Sequence, residues 1–116
     1  MIGTLESIIL DCPAPAVLAR FYAELLGRPI VREDADWVTL DGAPPLAFQL
    51  APDHQPPKWP DPAHPQQFHL DVHVGDIEAG EKQVLALGAT RIGPGEGNFR
   101  VYADPAGHPF CLVYDA

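Results

Sequence analysis

The sequence predicts an α+β chain built from two tandem copies of one unit: a strand, a helix and three further strands. Three observations carry this reading. The chain repeats itself at an offset of about 62 residues. Each copy opens with a short alternating apolar run, then shows the roughly 3.6-residue period of an amphipathic helix that ends at a glycine. The segments Leu46 to Leu50 and His108 to Leu112 answer each other at the same offset. A half-domain of this kind buries its sheet poorly alone, and the seam between copies is where a pocket forms.

In the first copy, residues 4–11 alternate: Ile8 and Leu10 point one way, and Ser7, Ile9 and Asp11 the other. Asp11 or Cys12 is the expected cap of the helix that follows, with Pro13 where a missing N–H costs nothing. Ala14, Val17, Leu18, Phe21, Tyr22 and Leu25 then fall on one buried face, and Gly27 stops the helix as a left-handed cap. Strands are expected at 29–33 and 36–40, joined by a tight turn near Glu33-Asp34-Ala35, and from Leu46 to Ala51.

Residues 52–65 contain six prolines, which forbid both helix and ladder pairing. The stretch reads as a stiff linker between module 1 (1–51) and module 2 (66–116), with Trp59 clipping it to the body. The second copy then repeats the order. Gln67 to Val74 reads as a strand, and Asp76 is a good N-cap for a helix carrying Ile77, Val84, Leu85 and Leu87. Strands follow near 89–92, 98–103 and 109–114, separated by Gly93-Pro94-Gly95 and Asp104-Pro105-Ala106-Gly107. The first of these glycine segments opens no helix, so it is a hairpin connection and not a phosphate loop.

Period-two alternation assigns faces. Ile8, Leu10, Phe48 and Leu50 should meet the first helix; Leu70, Val72, Val74, Phe110 and Leu112 should meet the second. The face away from the helices then collects Ser7, Asp11 and Gln49 from one copy and His69, Asp71, His73 and Cys111 from the other. Parity leaves open which way Trp37, Arg100 and Tyr102 point.

Charge narrows the partners. With 7 Lys and Arg against 16 Asp and Glu, the formal net charge is −9. This argues against nucleic acid and against anionic membrane surfaces, both of which need clustered cations. No run approaches the roughly 18–20 apolar residues of a membrane span. No basic, then apolar, leader opens the chain, and Cys12 and Cys111 make no disulfide framework. A soluble cytoplasmic protein is expected.

The chain resembles the vicinal oxygen chelate superfamily, which includes glyoxalase I, bleomycin-resistance proteins and extradiol dioxygenases. Phe21-Tyr22 followed by Leu25-Leu26-Gly27 resembles the family's first-helix ending. His69-Leu70 resembles the strand that opens the second module, and Asp104-Pro105-Ala106-Gly107-His108 the turn before the last strand. Within the family the chain is most similar to small glyoxalase-like proteins whose last strand reads Phe-Cys-Leu-Val, here Phe110 to Val113. The resemblance covers nearly the whole chain. It implies two βαβββ modules whose mixed sheets curve around a shared cavity, and a homodimer.

Metal-dependent members place ligands at four positions that match Ser7, Gln49, His69 and Cys111. Here Ser7 replaces the expected His and Cys111 the expected Glu. Hydroxyl and amide carry no charge, so the set is poor for a divalent ion. The resemblance therefore implies a small-molecule-binding protein without a metal cofactor, its cavity lined by Ser7, Gln49, His69, Asp71 and Cys111. Any acid–base chemistry would centre on His69. The alternative is a metal-dependent lyase, isomerase or dioxygenase using His69, with Gln49 and Cys111 as further ligands. Cys111 as a nucleophile activated by His69 competes with Cys111 as a packed, inert thiol.

Overall fold

The computed structural model describes residues 1–115. The chain divides into two compact units, Met1–His54 and a second from Gln55 onward, and each carries one βαβββ run.

The first unit is β1 (Ile8–Cys12), α1 (Pro15–Leu26), β2 (Ile30–Asp34), β3 (Trp37–Leu40) and β4 (Leu46–Leu50), with sheet order β1-β4-β3-β2. β1 and β4 run parallel; the other pairs are antiparallel. α1 packs on β3 and β4. Its buried face is Pro15, Leu18, Ala19, Phe21 and Tyr22, and Tyr22 stacks on Phe48 with ring centroids 5.7 Å apart. Gly27 closes the helix at φ 64°, the left-handed conformation that glycine adopts without steric cost.

The second unit is β5 (Leu70–His73), α2 (Ile77–Ala86), β6 (Thr90–Arg91), β7 (Phe99–Ala103) and β8 (Pro109–Val113), in the order β5-β8-β7-β6. Asp76 caps α2, accepting from the N–H groups of Glu78 and Ala79. The helix lies close to the chain that leads into it: a Cβ on Gly80 would stand 3.3 Å from a Val74 methyl. Val84, Tyr102, Phe110 and Leu112 fill the core beneath it. The turn into β8 is held by the buried Asp104 carboxylate, which accepts from Ala106 N–H at 2.9 Å and His108 N–H at 3.0 Å.

Several local expectations change. Neither Asp11 nor Cys12 caps α1; Ala14 stands at the N-cap with no side-chain bond. The cause is the length of β1, which pairs through Cys12 with Leu50 and so keeps both residues in the ladder. Val17 is 52% exposed and Leu50 38%, so the buried arc of α1 is narrower than its apolar pattern. Leu85 and Leu87 are likewise exposed, leaving Gly80 and Val84 as the buried face of α2. The strand expected from Gln67 begins only at Leu70. His69 therefore stands just before β5, as Ser7 stands just before β1.

The repeat is also less strict than a single spacing. In the first unit Ile8 faces Leu46 and Asp11 faces Gln49; in the second, Leu70 faces Phe110 and Asp71 faces Cys111. The shift is two residues, so side-chain facing survives while ladder position does not. Matching Gln49 to Cys111 brings Asp11 to Asp71 and Ile9, rather than Ser7, to His69.

Candidate functional site

Register settles which side chains share the helix-free face of the second unit. β8 lies between β5 and β7, so Cys111 stands beside Asp71 on one side and Val101 on the other, and Val113 beside Phe99. Arg100 and Tyr102 share their facing with Leu112 and Phe110 and point to α2. There Arg100 donates to Glu78 and Glu81, and the Tyr102 hydroxyl donates to Glu81 at 2.9 Å. In the first unit, Trp37 pairs with Gln49 on the helix-free face and donates to the Thr39 hydroxyl at 2.9 Å.

Three of the expected site residues meet on the second unit. His69 Nε2 lies 3.2 Å from Asp71 Oδ1. The ligand atoms of His69, Asp71 and Cys111 all lie within 4.8 Å of one another. Cys111 is 2% exposed, and its thiol is pushed up to about 11 by burial, then by the Asp71 charge and a hydrogen bond to that carboxylate. The thiol proton is thus directed to Asp71, not to the imidazole, which favours the packed, inert Cys111 over an activated nucleophile. His73 lies farther along the strand, exposed and 3.2 Å from Asp115.

The cleft above these groups has a volume of about 510 Å³. His69, Asp71 and Cys111 form its polar end; Trp59, Phe99 and Val113 its apolar walls, with Asn98 at the side. Trp59 stacks on His69, with centroids 5.1 Å apart and planes at 28°. The proline-rich stretch that carries it belongs to the second unit from Gln55 on, where Pro56 lies against Gly107. Ser7 and Gln49 belong to the first unit, Ser7 half-buried and Gln49 exposed on β4. Asn98 and Phe99 escape sequence reasoning because parity could not place β7; its pairing with β8 is the missing signal.

A tetrahedral ion with bonds of about 2.1 Å sets its ligands about 3.4 Å apart, close to the 3.2 Å between His69 and Asp71. One imidazole, one carboxylate and one thiol would suit zinc, provided the thiol gives up its proton. Of the expected ligands His69, Gln49 and Cys111, the second unit brings together His69 and Cys111, with Asp71 beside them.

No curated protein matches the chain in sequence. Among solved structures, a glyoxalase-related enzyme from Fulvimarina pelagi superposes with a TM-score of 0.74 at 18% identity, over 98% of this chain and 89% of that one. A glyoxalase/bleomycin resistance protein/dioxygenase family enzyme from Burkholderia phytofirmans gives 0.74 at 16% identity, over 97% and 98%. The bleomycin-binding protein of Streptomyces verticillus, solved with copper(II)-bleomycin, gives 0.61 at 18%, over 100% of both chains. These likenesses establish the fold. Residues 7–113 match the family model of the glyoxalase-like domain, and the chain belongs to that family within the vicinal oxygen chelate superfamily.

Proposed function

We propose that the chain binds a small organic molecule in the cleft of its second unit, without the family's full metal site. The carrying observation is the juxtaposition of two aromatic walls, Trp59 and Phe99, with the His69–Asp71 pair at one end. Apolar walls with a few convergent polar groups are the usual make-up of a ligand site. The structural likeness to a protein solved with copper(II)-bleomycin is compatible with an organic occupant. The resemblance adds Ser7 and Gln49 of the first unit to the proposed binding residues. His69 would supply any acid–base chemistry.

The test is a panel of aromatic amines and neutral aromatic compounds, read by melting temperature and by Trp59 fluorescence in a Trp37→Phe chain. Binders should lose affinity at least about tenfold in Phe99→Ala, the order expected for a central aromatic contact. A panel with no binder, or binders indifferent to Phe99, counts against the reading.

A second reading has its own observation. His69, Asp71 and Cys111 form a three-donor group, so a metal-dependent lyase, isomerase or dioxygenase stands as the alternative. A divalent ion held there would supply a Lewis acid. Elemental analysis of protein never exposed to chelators separates the two. Near-stoichiometric metal, lost in His69→Ala, would favour the alternative.

The proposal extends to association and compartment. β2 is a sheet edge with Val31 60% exposed, which supports pairing with a second copy. Sedimentation showing a monomer at micromolar concentration would oppose it. The thiols of Cys12 and Cys111, not joined in a disulfide, support a reducing compartment such as the cytoplasm. Among the described residues, no helix is long and apolar enough to cross a membrane.

A further inference from the structure

A second cleft, of about 340 Å³, opens beside the first between the proline-rich segment and the β6–β7 hairpin. The two clefts share Trp59 and Phe99. Their contents differ. The first carries the imidazole, carboxylate and thiol; the second is walled mainly by Pro60, Ile92, Pro94 and Val101, with the exposed Glu96 as its one charged residue. Phe99 and Val101 alternate along β7 on the same helix-free face as Cys111, so one strand floors both. The hairpin can lie close to that strand because Gly95 has no side chain: a Cβ there would collide with the Phe99 carbonyl oxygen.

The two ends differ in their polar groups and in the length of their apolar wall. The Asp71 side chain is 62% exposed, and its one ion-pair partner among the described residues is His69. Arg91, next to Ile92, is committed elsewhere: it donates to the carbonyls of Gly93 and Pro94 and pairs with Glu81 at 3.0 Å. One end thus presents an accessible carboxylate held by an imidazole beside two π faces, and the other a mostly apolar wall that includes Glu96. Indole and phenyl faces attract flat rings and cations.

We propose that the two clefts are one groove, divided only by the Trp59 and Phe99 rings, for an elongated amphiphile. Its flat aromatic cation lies at Trp59, Phe99 and Asp71, and its apolar tail runs over Ile92, Pro94 and Val101. The proposal rests on the ligand-binding reading above and names the chemical class of the ligand.

The test uses 1-methylquinolinium and 1-hexylquinolinium, with naphthalene-1-sulfonate as the anionic control, read by Trp59 fluorescence in the full Trp37→Phe chain. The hexyl cation should bind at least about tenfold tighter than the methyl cation, as burial of two of its added methylenes would give. Ile92→Asn, at an exposed position, should cut that gain to under about threefold and leave methyl binding unchanged. Asp71→Asn should weaken both cations alike. Methyl binding without a gain for hexyl would end the groove and leave the first cleft standing as a ligand site. Sulfonate binding as tight as the cations would end the charge assignment. Failure of both cations would end the proposal, while the broader panel still decides whether the cleft binds anything.

Discussion

Trp59 covers one face of the His69 imidazole, their ring centroids 5.1 Å apart and their planes 28° from parallel. The contact joins the proline-rich segment to the residue just before β5, and it walls the candidate site from one side. Aromatic pairs of this kind contribute about 1 kcal/mol beyond their buried area. Trp59→Ala should therefore lower stability by at least that order, read from the urea midpoint, and Trp59→Phe by less. It should also speed carbethoxylation of His69. Unchanged His69 protection in Trp59→Ala would mean that the ring does not shield the imidazole in solution.

α2 depends on its cap. Asp76 accepts from Glu78 N–H at 3.0 Å and Ala79 N–H at 3.2 Å, satisfying two of the donors that a helix start leaves open. Asp76→Ala should cost about 1 kcal/mol, and Asp76→Ser much less, by chemical denaturation. Equal loss in both would point to a role other than capping.

How much of this was legible in the sequence follows from the kind of signal each feature leaves. The βαβββ order, the Gly27 stop and the Asp76 cap rest on local periodicity and local chemistry, and they appear where expected. So does the facing of His69, Asp71 and Cys111, because strand alternation needs no knowledge of the partner. Register is not local. The two-residue difference between the β1·β4 and β5·β8 ladders is set by which strands pair and where, and it keeps the Ser7–His69 and Gln49–Cys111 matches from holding together. The direction of Arg100 and Tyr102 was hidden for the same reason. Trp59 was legible as a clip, but nothing in a proline-rich stretch shows that its target is a histidine in the site.

The Arg100 network makes a prediction in acid. Burial alone would raise the Glu81 carboxyl, but the Tyr102 hydroxyl and the Arg91 and Arg100 guanidiniums outweigh it and hold the group below its ordinary value of 4.5. A depressed carboxyl stabilises the fold above its unfolded value and loses that contribution as the pH falls through its folded one. Glu81→Gln should therefore be less stable than the native chain at neutral pH, with the gap narrowing below about pH 4.5. Tyr102→Phe, which removes one neutral donor from this carboxylate, should cost about 1 kcal/mol at neutral pH. A gap between Glu81→Gln and the native chain that is constant with pH would show that the carboxylate's charge does not matter.

Cys111 tests the chemistry of the site most directly. Its thiol is raised to about 11 by burial, by the neighbouring Asp71 charge and by the hydrogen bond to that carboxylate. A raised thiol stabilises the fold fully below its unfolded value near 9.0 and loses that contribution between there and about 11. In a Cys12→Ala chain, alkylation by iodoacetamide should be slow at pH 7.5 and climb only toward pH 11, since the thiolate is the reactive form. His69→Ala should not slow it further, because the thiol proton goes to Asp71. Asp71→Asn should speed it, because two of the three causes that raise the thiol depend on that carboxylate. Fast alkylation at pH 7.5 that His69→Ala abolishes would instead mean that the imidazole draws the thiol proton, and Cys111 would then be a nucleophile after all.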